Sequence, residues 1–204
     1  MAMQYTGLIV GLGNPGRRYS NTRHNFGAAV VSTLLKQGED RGEVSRIEKK
    51  RAYELFALRF DINAMWLVVL PLSYMNRSGD PVAHLSRKFE ISPGQMLVAH
   101  DELDLAFGKM RFKFDSGLAG HNGLRSIANR LGSKEFYRLR LGIDRPERRE
   151  YPPTDFVLST FLPEEKKILP EIYTVAAEGV RLFCSQGMDR AMQRIHCLDY
   201  HSFA

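Results

Sequence analysis

The apolar run Leu8-Ile9-Val10, broken at once by the glycine-rich turn of residues 11–16, constrains this chain more than any other stretch. The run reads as a buried strand, and Asn14 and Pro15 stand at the tip of the turn. A polar loop carrying Tyr19, Arg23, His24 and Asn25 comes next. Phe26, Ala29, Val30, Thr33 and Leu34 then recur at helical spacing, which predicts a helix. Strand, polar loop and helix in that order set functional groups at the carboxyl edge of a sheet. His24, the titratable side chain of that loop beside an amide, is the first candidate for chemistry.

Further along, residues 37–50 are polar and charged and read as a loop with little intrinsic structure. Residues 53–60 and 65–70 read as the two strands of a hairpin, separated by Asp61, Ile62 and Asn63. Asp80 and Pro81 suit the start of a helix that turns Val82, Leu85 and Phe89 inward. Residues 96–99 form a short buried strand that runs into His100, Asp101, Glu102 and Asp104. Residues 109–114 alternate Lys109, Arg111 and Lys113 with Met110, Phe112 and Phe114, a half-buried strand with a basic outer face. Residues 136–143 repeat the device with Arg138 and Arg140 opposite Leu139 and Leu141. Between these strands lies a polar loop, residues 116–123, then a helix with Leu124, Ile127, Ala128 and Leu131 as its stripe and Gly132 as its stop. A charged connection over 146–153 precedes a long amphipathic helix (Ile168, Ile172, Val175, Ala176, Val180, Phe183) and a shorter one (Met188, Ala191, Met192, Ile195). Interleaved strands and helices predict an α/β fold, a twisted mixed β-sheet flanked by α-helices.

At 204 residues, against about 150 per domain, one domain spanning 1–204 is expected. No apolar run is long enough for a membrane span and no signal peptide precedes the first strand, so no membrane association is expected. Only two cysteines occur, Cys184 and Cys197, which is no disulfide framework and points to a reducing, cytoplasmic setting. Lys and Arg number 29 against 23 acidic residues, a net +6, which suits either a polyanionic partner or a solvated basic surface.

Gly11, Gly13 and Gly16 have the spacing of a dinucleotide-binding fingerprint, but residues 17–23 keep the chain irregular where the helix should begin. Glu39 and Asp40 lie in a polar stretch, whereas the fingerprint needs its acid at a strand end, so no nicotinamide cofactor is expected. His100, Asp101, Glu102 and Asp104, even with His24 or His121, lack the usual metal-ligand spacing, and two cysteines cannot supply a structural zinc site. Glu102 and Asp104 read instead as solvated turn residues, and no metal is expected. With no Gly-x-Ser-x-Gly elbow, covalent catalysis has no carrier. What remains is His24, Asp101 and the amides Asn14, Asn76 and Asn122, each in a polar or glycine-rich loop or just after a strand-like run. A histidine held by a carboxylate, with amides to grip a carbonyl, suits attack by water on an ester or amide.

The segments GLGNPG from Gly11, TRHN at residues 22–25, Met75-Asn76, AHDELDL from Ala99 and GHNG from Gly120 together resemble bacterial peptidyl-tRNA hydrolase. The likeness covers residues 8 to about 198, with the motifs in register. It implies an enzyme without cofactor that hydrolyses the ester joining a peptide to the 3′ end of tRNA and so recycles the tRNA. It implies that His24 is the general base, that Asp101 orients and polarises it, and that Asn14 tells blocked from free aminoacyl-tRNA. Asn76 and Asn122 would hold the peptide and terminal-nucleotide end and help orient the water or oxyanion. Tyr19 and Tyr74 would line the same site, and Lys113 and Arg140 would meet the acceptor stem. A cytoplasmic monomer with no obligate protein partner is implied as well. Ala119 stands where the family often has glycine, Tyr74 where phenylalanine is common, and residues 37–50 match nothing specific.

Overall fold

In the computed structural model, which describes residues 4–62, 64–146 and 152–196, the first apolar run is the central strand of one sheet. Every residue of β1 (Gly7–Gly11) is buried. It pairs in parallel with β4 (Ala64–Pro71) on one side and β5 (Met96–Glu102) on the other. Strand β5 in turn pairs in parallel with β7 (Tyr137–Gly142). Antiparallel strands complete both edges: β3 (Tyr53–Asp61) and β2 (Val44–Lys49) beyond β4, and β6 (Met110–Phe114) beyond β7. The sheet has seven strands in the order β2-β3-β4-β1-β5-β7-β6, a mixed sheet as the sequence predicts.

Helices cover both faces. One core packs α1 (Phe26–Asp40), α5 (Pro163–Gln186) and α6 (Met188–His196) against Ile9, Val68, Leu97, Leu139 and Leu141. The opposite core packs α2 (Gly79–Lys88) and α3 (Asn122–Leu131) against Leu8, Val10, Leu67, Val69 and Val98. Successive residues of β1 thus feed opposite cores, which is why its sequence is apolar without alternation. No helix among the described residues is long and apolar enough to cross a membrane.

Four expectations are corrected. Residues 37–50 are not an unstructured loop: α1 runs on to Asp40, and Val44–Lys49 is the edge strand β2. Glu102 is not a solvated turn residue: it ends the fully buried β5, is 3% exposed and pairs with Arg140 at 2.9 Å. Arg138 is not on an open basic face: it is 1% exposed, and its guanidinium donates to the carbonyls of Ser116 and Gly117. The charged connection ends in a short helix, α4 (Pro153–Leu158), while residues 147–151 and Cys197 lie outside the described residues. Phe114 keeps the predicted face of Met110 and Phe112, but at the end of its strand it is 40% exposed, with its ring against Tyr137.

This topology builds one functional edge. Strands β4, β1 and β5 are parallel, so the loops that follow them gather at their common carboxyl end. Strand β6 runs antiparallel to β7 and ends at the far edge, so residues 115–121 must carry the chain back before α3 begins. The bonds from Arg138 pin that return segment, and Ala119 within it takes a left-handed backbone at φ 46°.

Candidate active site

The loop after β1 is fixed before it reaches any ligand. Asn25 clamps its tip: the side-chain oxygen accepts the Asn14 N–H at 2.8 Å, and the side-chain amide donates to the Asn14 carbonyl at 3.0 Å. Gly16 takes a positive φ of 97°, the one conformational demand that this turn makes on a glycine. Helix α1 starts at Phe26 and not at the glycines, so no helix amino end meets a phosphate there. His24 lies instead in a 3-10 turn, Arg23–Asn25, at the mouth of the helix.

That turn is latched from behind. Buried Arg23 gives two hydrogen bonds, at 2.9 and 2.7 Å, to the carboxylate of Glu165 in α5. Its guanidinium also lies over the rings of Phe156 and Phe161. From the sequence, Arg23 is only one member of a polar loop. Its partner is 142 residues away, and no local spacing reveals that.

His24 and Asp101 meet. The imidazole Nδ1 is 2.9 and 3.0 Å from the two carboxylate oxygens of Asp101, which is 3% exposed. Asp101 also accepts from His121 Nε2 at 3.0 Å. The tautomer of His121 follows from its other nitrogen: Nδ1 accepts the N–H groups of Gly123 and Leu124, at 3.1 and 3.3 Å, so the proton sits on Nε2. His121 therefore caps α3 with one nitrogen and holds the carboxylate with the other, a double duty that the sequence reading missed. Burial alone would raise the Asp101 pKa, but the electrostatic attraction of His24 and His121 and the N–H groups they donate outweigh it and hold the carboxyl well below its usual range. Since Asp101 is an ionised acceptor, His24 donates Nδ1–H to it and keeps the Nε2 lone pair for the cleft.

His24, Asp101 and His121 also form a cluster of potential metal ligands, with atoms within 4.8 Å of one another. The chemistry does not suit an ion. His121 would have to ligate through Nε2, which carries its proton, and shifting that proton to Nδ1 would set it against two backbone N–H groups. The trio fits a hydrogen-bonded chain that steers His24.

The cleft in front of His24 is lined by Asn14, Asn76, Asn122 and Tyr74, with Thr154, Val157 and Leu158 of α4 opposite. Asn14 Oδ1 accepts the Met75 N–H at 2.8 Å, which leaves its amide N–H groups for a ligand. Asn76 lies in a 3-10 turn, Met75–Arg77, and Asn122 is the first residue of α3; both are exposed. Tyr19 and Tyr74 meet edge to face at 6.5 Å between centroids. Lys113 and Arg140 stand apart from this group, on β6 and β7. Arg111 lies opposite Arg140 in the register and Lys113 opposite Arg138. Among the described residues no serine or cysteine lines the cleft, and Cys184, the cysteine among them, is buried in α5 with its thiol pKa pushed up by burial.

A carboxylate-held histidine facing a cleft rimmed with amides is an arrangement suited to activating water against a carbonyl. Comparison with known proteins narrows this class. The family model described as peptidyl-tRNA hydrolase matches residues 8–202. A peptidyl-tRNA hydrolase of Oleidesulfovibrio alaskensis is 45% identical, over 97% of this chain and 99% of its own. One of Nocardia farcinica is also 45% identical, over 93% and 95%. Among solved structures, the peptidyl-tRNA hydrolase of Acinetobacter baumannii superposes with a TM-score of 0.85 at 32% identity, covering 97% of this chain and 99% of that one. The chain belongs to the peptidyl-tRNA hydrolase family.

Proposed function

We propose that the chain, residues 1–204 acting as one domain, cleaves the ester between a peptide, or an N-blocked amino acid, and the 3′ end of tRNA. This recycles the tRNA of peptidyl-tRNA released during translation. His24 is the general base. Its Nε2 takes a proton from water as the water oxygen bonds to the ester carbonyl carbon. Asp101, ionised throughout, stabilises the imidazolium that forms. Asn76 and Asn122 hold the peptide and terminal-nucleotide end, and their amide N–H groups serve the water or the carbonyl oxygen as it gains charge. The tetrahedral species then collapses: the bond to the ribose oxygen breaks, and that oxygen takes the proton back from His24.

Asn14 supplies the preference for a blocked substrate. Its oxygen is occupied by Met75, so it offers N–H donors. An acylated amino group brings a carbonyl that accepts them, whereas a free ammonium brings only more donors. Tyr19 and Tyr74 line the same binding site, and Lys113 and Arg140, with Arg111, meet the phosphates of the acceptor stem. The chain acts as a monomer without a protein partner or cofactor, as its resemblance to the family implies, and a substrate made by translation sets the work in the cytoplasm.

The observation that carries this reading is the 2.9 Å bond from His24 to the buried Asp101, behind a cleft lined by three asparagines. The test is hydrolysis of N-acetyl-aminoacyl-tRNA beside its unblocked counterpart. The protein should release amino acid from the blocked form only, and His24→Ala should lose about 10²- to 10⁴-fold in rate while remaining folded. Full activity in that variant, or tRNA binding without turnover in the unaltered protein, would overturn the assignment.

A further inference from the structure

Tyr74, 55% exposed, is a wall shared by two grooves: the candidate catalytic cleft and a second one beyond it. The second groove is closed by Pro15, Ala52, Leu72 and the side chains of Arg51 and Arg77, and no carboxylate among the described residues lines it. Both arginines stand on backbone tied to the candidate site. Arg51 occupies the tight turn between β2 and β3, which is held by Lys50 N–H to the Tyr53 carbonyl at 2.8 Å and by Leu72 N–H to the Ala52 carbonyl at 2.8 Å. Arg77 closes the 3-10 turn whose first residue, Met75, donates to Asn14.

The charge of the groove is not cancelled. Arg51 is exposed and makes no hydrogen bond or ion pair among the described residues. Arg77 Nε lies 3.3 Å from Asp80, but that carboxylate is shared with Arg130 at 2.7 Å, and the terminal N–H groups of Arg77 remain for a ligand. The sheet order gives the groove a direction. Strands β4, β3 and β2 lie on one side of β1, while β5, β7 and β6, with Lys113 and Arg140, lie on the other. With the acceptor stem on the β7–β6 side, the acyl chain leaves His24 past Tyr74 toward Arg51 and Arg77.

We propose that this groove is a peptide subsite that takes an acidic side chain, aspartate or glutamate, of the nascent peptide; the assignment rests on the hydrolase reading above. A guanidinium presents paired donors that match a carboxylate, and Tyr74, Leu72 and Pro15 pack against the methylenes that carry it. The groove is open to solvent, so the selectivity is modest, about three- to tenfold.

The test uses peptidyl-tRNAs that differ only in one of the two residues preceding the esterified amino acid, set to glutamate, glutamine or lysine, at fixed salt. The unaltered protein should give kcat/KM in the order glutamate, glutamine, lysine. The pair Arg51→Gln with Arg77→Gln should bring the glutamate-to-glutamine ratio to about one, and Arg51→Glu with Arg77→Glu should invert the order. Equal rates on all three substrates would overturn the subsite and leave the hydrolase reading standing. An equal loss on all three in the glutamine pair would overturn it too, in favour of contacts to tRNA phosphate. Hydrolysis of none of the three would remove the hydrolase reading, and the subsite with it.

Discussion

His100 and Asp101 are neighbours on β5, both buried, and acid reaches them at different pH. Burial, reinforced by the adjacent His121, pushes the His100 pKa down to about 3, so this ring is neutral in the folded protein. Its Nδ1–H donates to the Asp101 carbonyl at 2.7 Å, and its Nε2 has no partner among the described residues. The unfolded chain, whose histidine titrates near about 6.5, binds a proton that the fold refuses, so stability falls as pH drops from there toward the folded value. Asp101 has the same sign but a lower window: its contribution is complete above about 3.9 and is lost only below that. Between pH 6 and 4 His100 is the one of the two that acts. His100→Asn keeps an N–H where Nδ1 stands and cannot take the proton. Urea unfolding of the unaltered protein should therefore lose about 1.4 kcal/mol per pH unit more than the variant over that range. Parallel declines in the two proteins would show that His100 is not the acid-sensitive group.

At the scale of elements, the meeting of His24 with Asp101 depends on how closely α1 lies on β5. A Cβ on Gly27 would come 2.1 Å from the Ala99 carbonyl oxygen, two residues before Asp101 and three after His24. Gly27→Ala must lift the helix mouth from the strand, at about 2–3 kcal/mol of stability. It should cost about 10²-fold in kcat, because the base moves relative to its partner. Gly94→Ala, whose Cβ meets nothing within 4 Å, is the control in both assays. A Gly27→Ala enzyme with full kcat would show that this contact does not set the site. The elements carrying this geometry were legible because their apolar residues repeat: β1, the β3–β4 hairpin, α3 with Gly132 at its end, and α5. Strand β2 was not, since a sheet edge exposed on both faces demands no apolar period, and Val44–Lys49 is joined to β3 through backbone pairing. Helix α4 has six residues, too few to show a stripe. In the candidate site, His24, Asp101 and the asparagines stood out as residue types in loops. The partners that aim them, Glu165 for Arg23, Arg140 for Glu102 and the two backbone N–H groups for His121, are pairings made only by the fold.

For the whole molecule, the question is which part of the +6 net charge is free to meet a polyanion. Composition treats all basic residues alike, but the β6–β7 surface does not. Arg138 is spent inside the protein on the 116–117 carbonyls, and Arg140 gives its Nε to Glu102, a carboxylate only 3% exposed, which leaves only its terminal N–H groups for a phosphate. Arg111 and Lys113 are exposed on the edge strand and are the groups there best able to exchange a counterion for a phosphate. Removing each kind of residue should thus have a different signature. Lys113→Ala should reduce the slope of log kcat/KM against log salt by about one while the urea midpoint stays put, as expected when one phosphate contact is lost. Arg140→Ala should lower that midpoint, by about 3 kcal/mol of stability, because it strands the Glu102 charge inside the protein. An unchanged salt slope in Lys113→Ala would mean that the acceptor stem lies elsewhere. The peptide would then no longer be directed toward Arg51 and Arg77 by the order of the strands, because that direction depends on the RNA occupying the opposite side of the sheet.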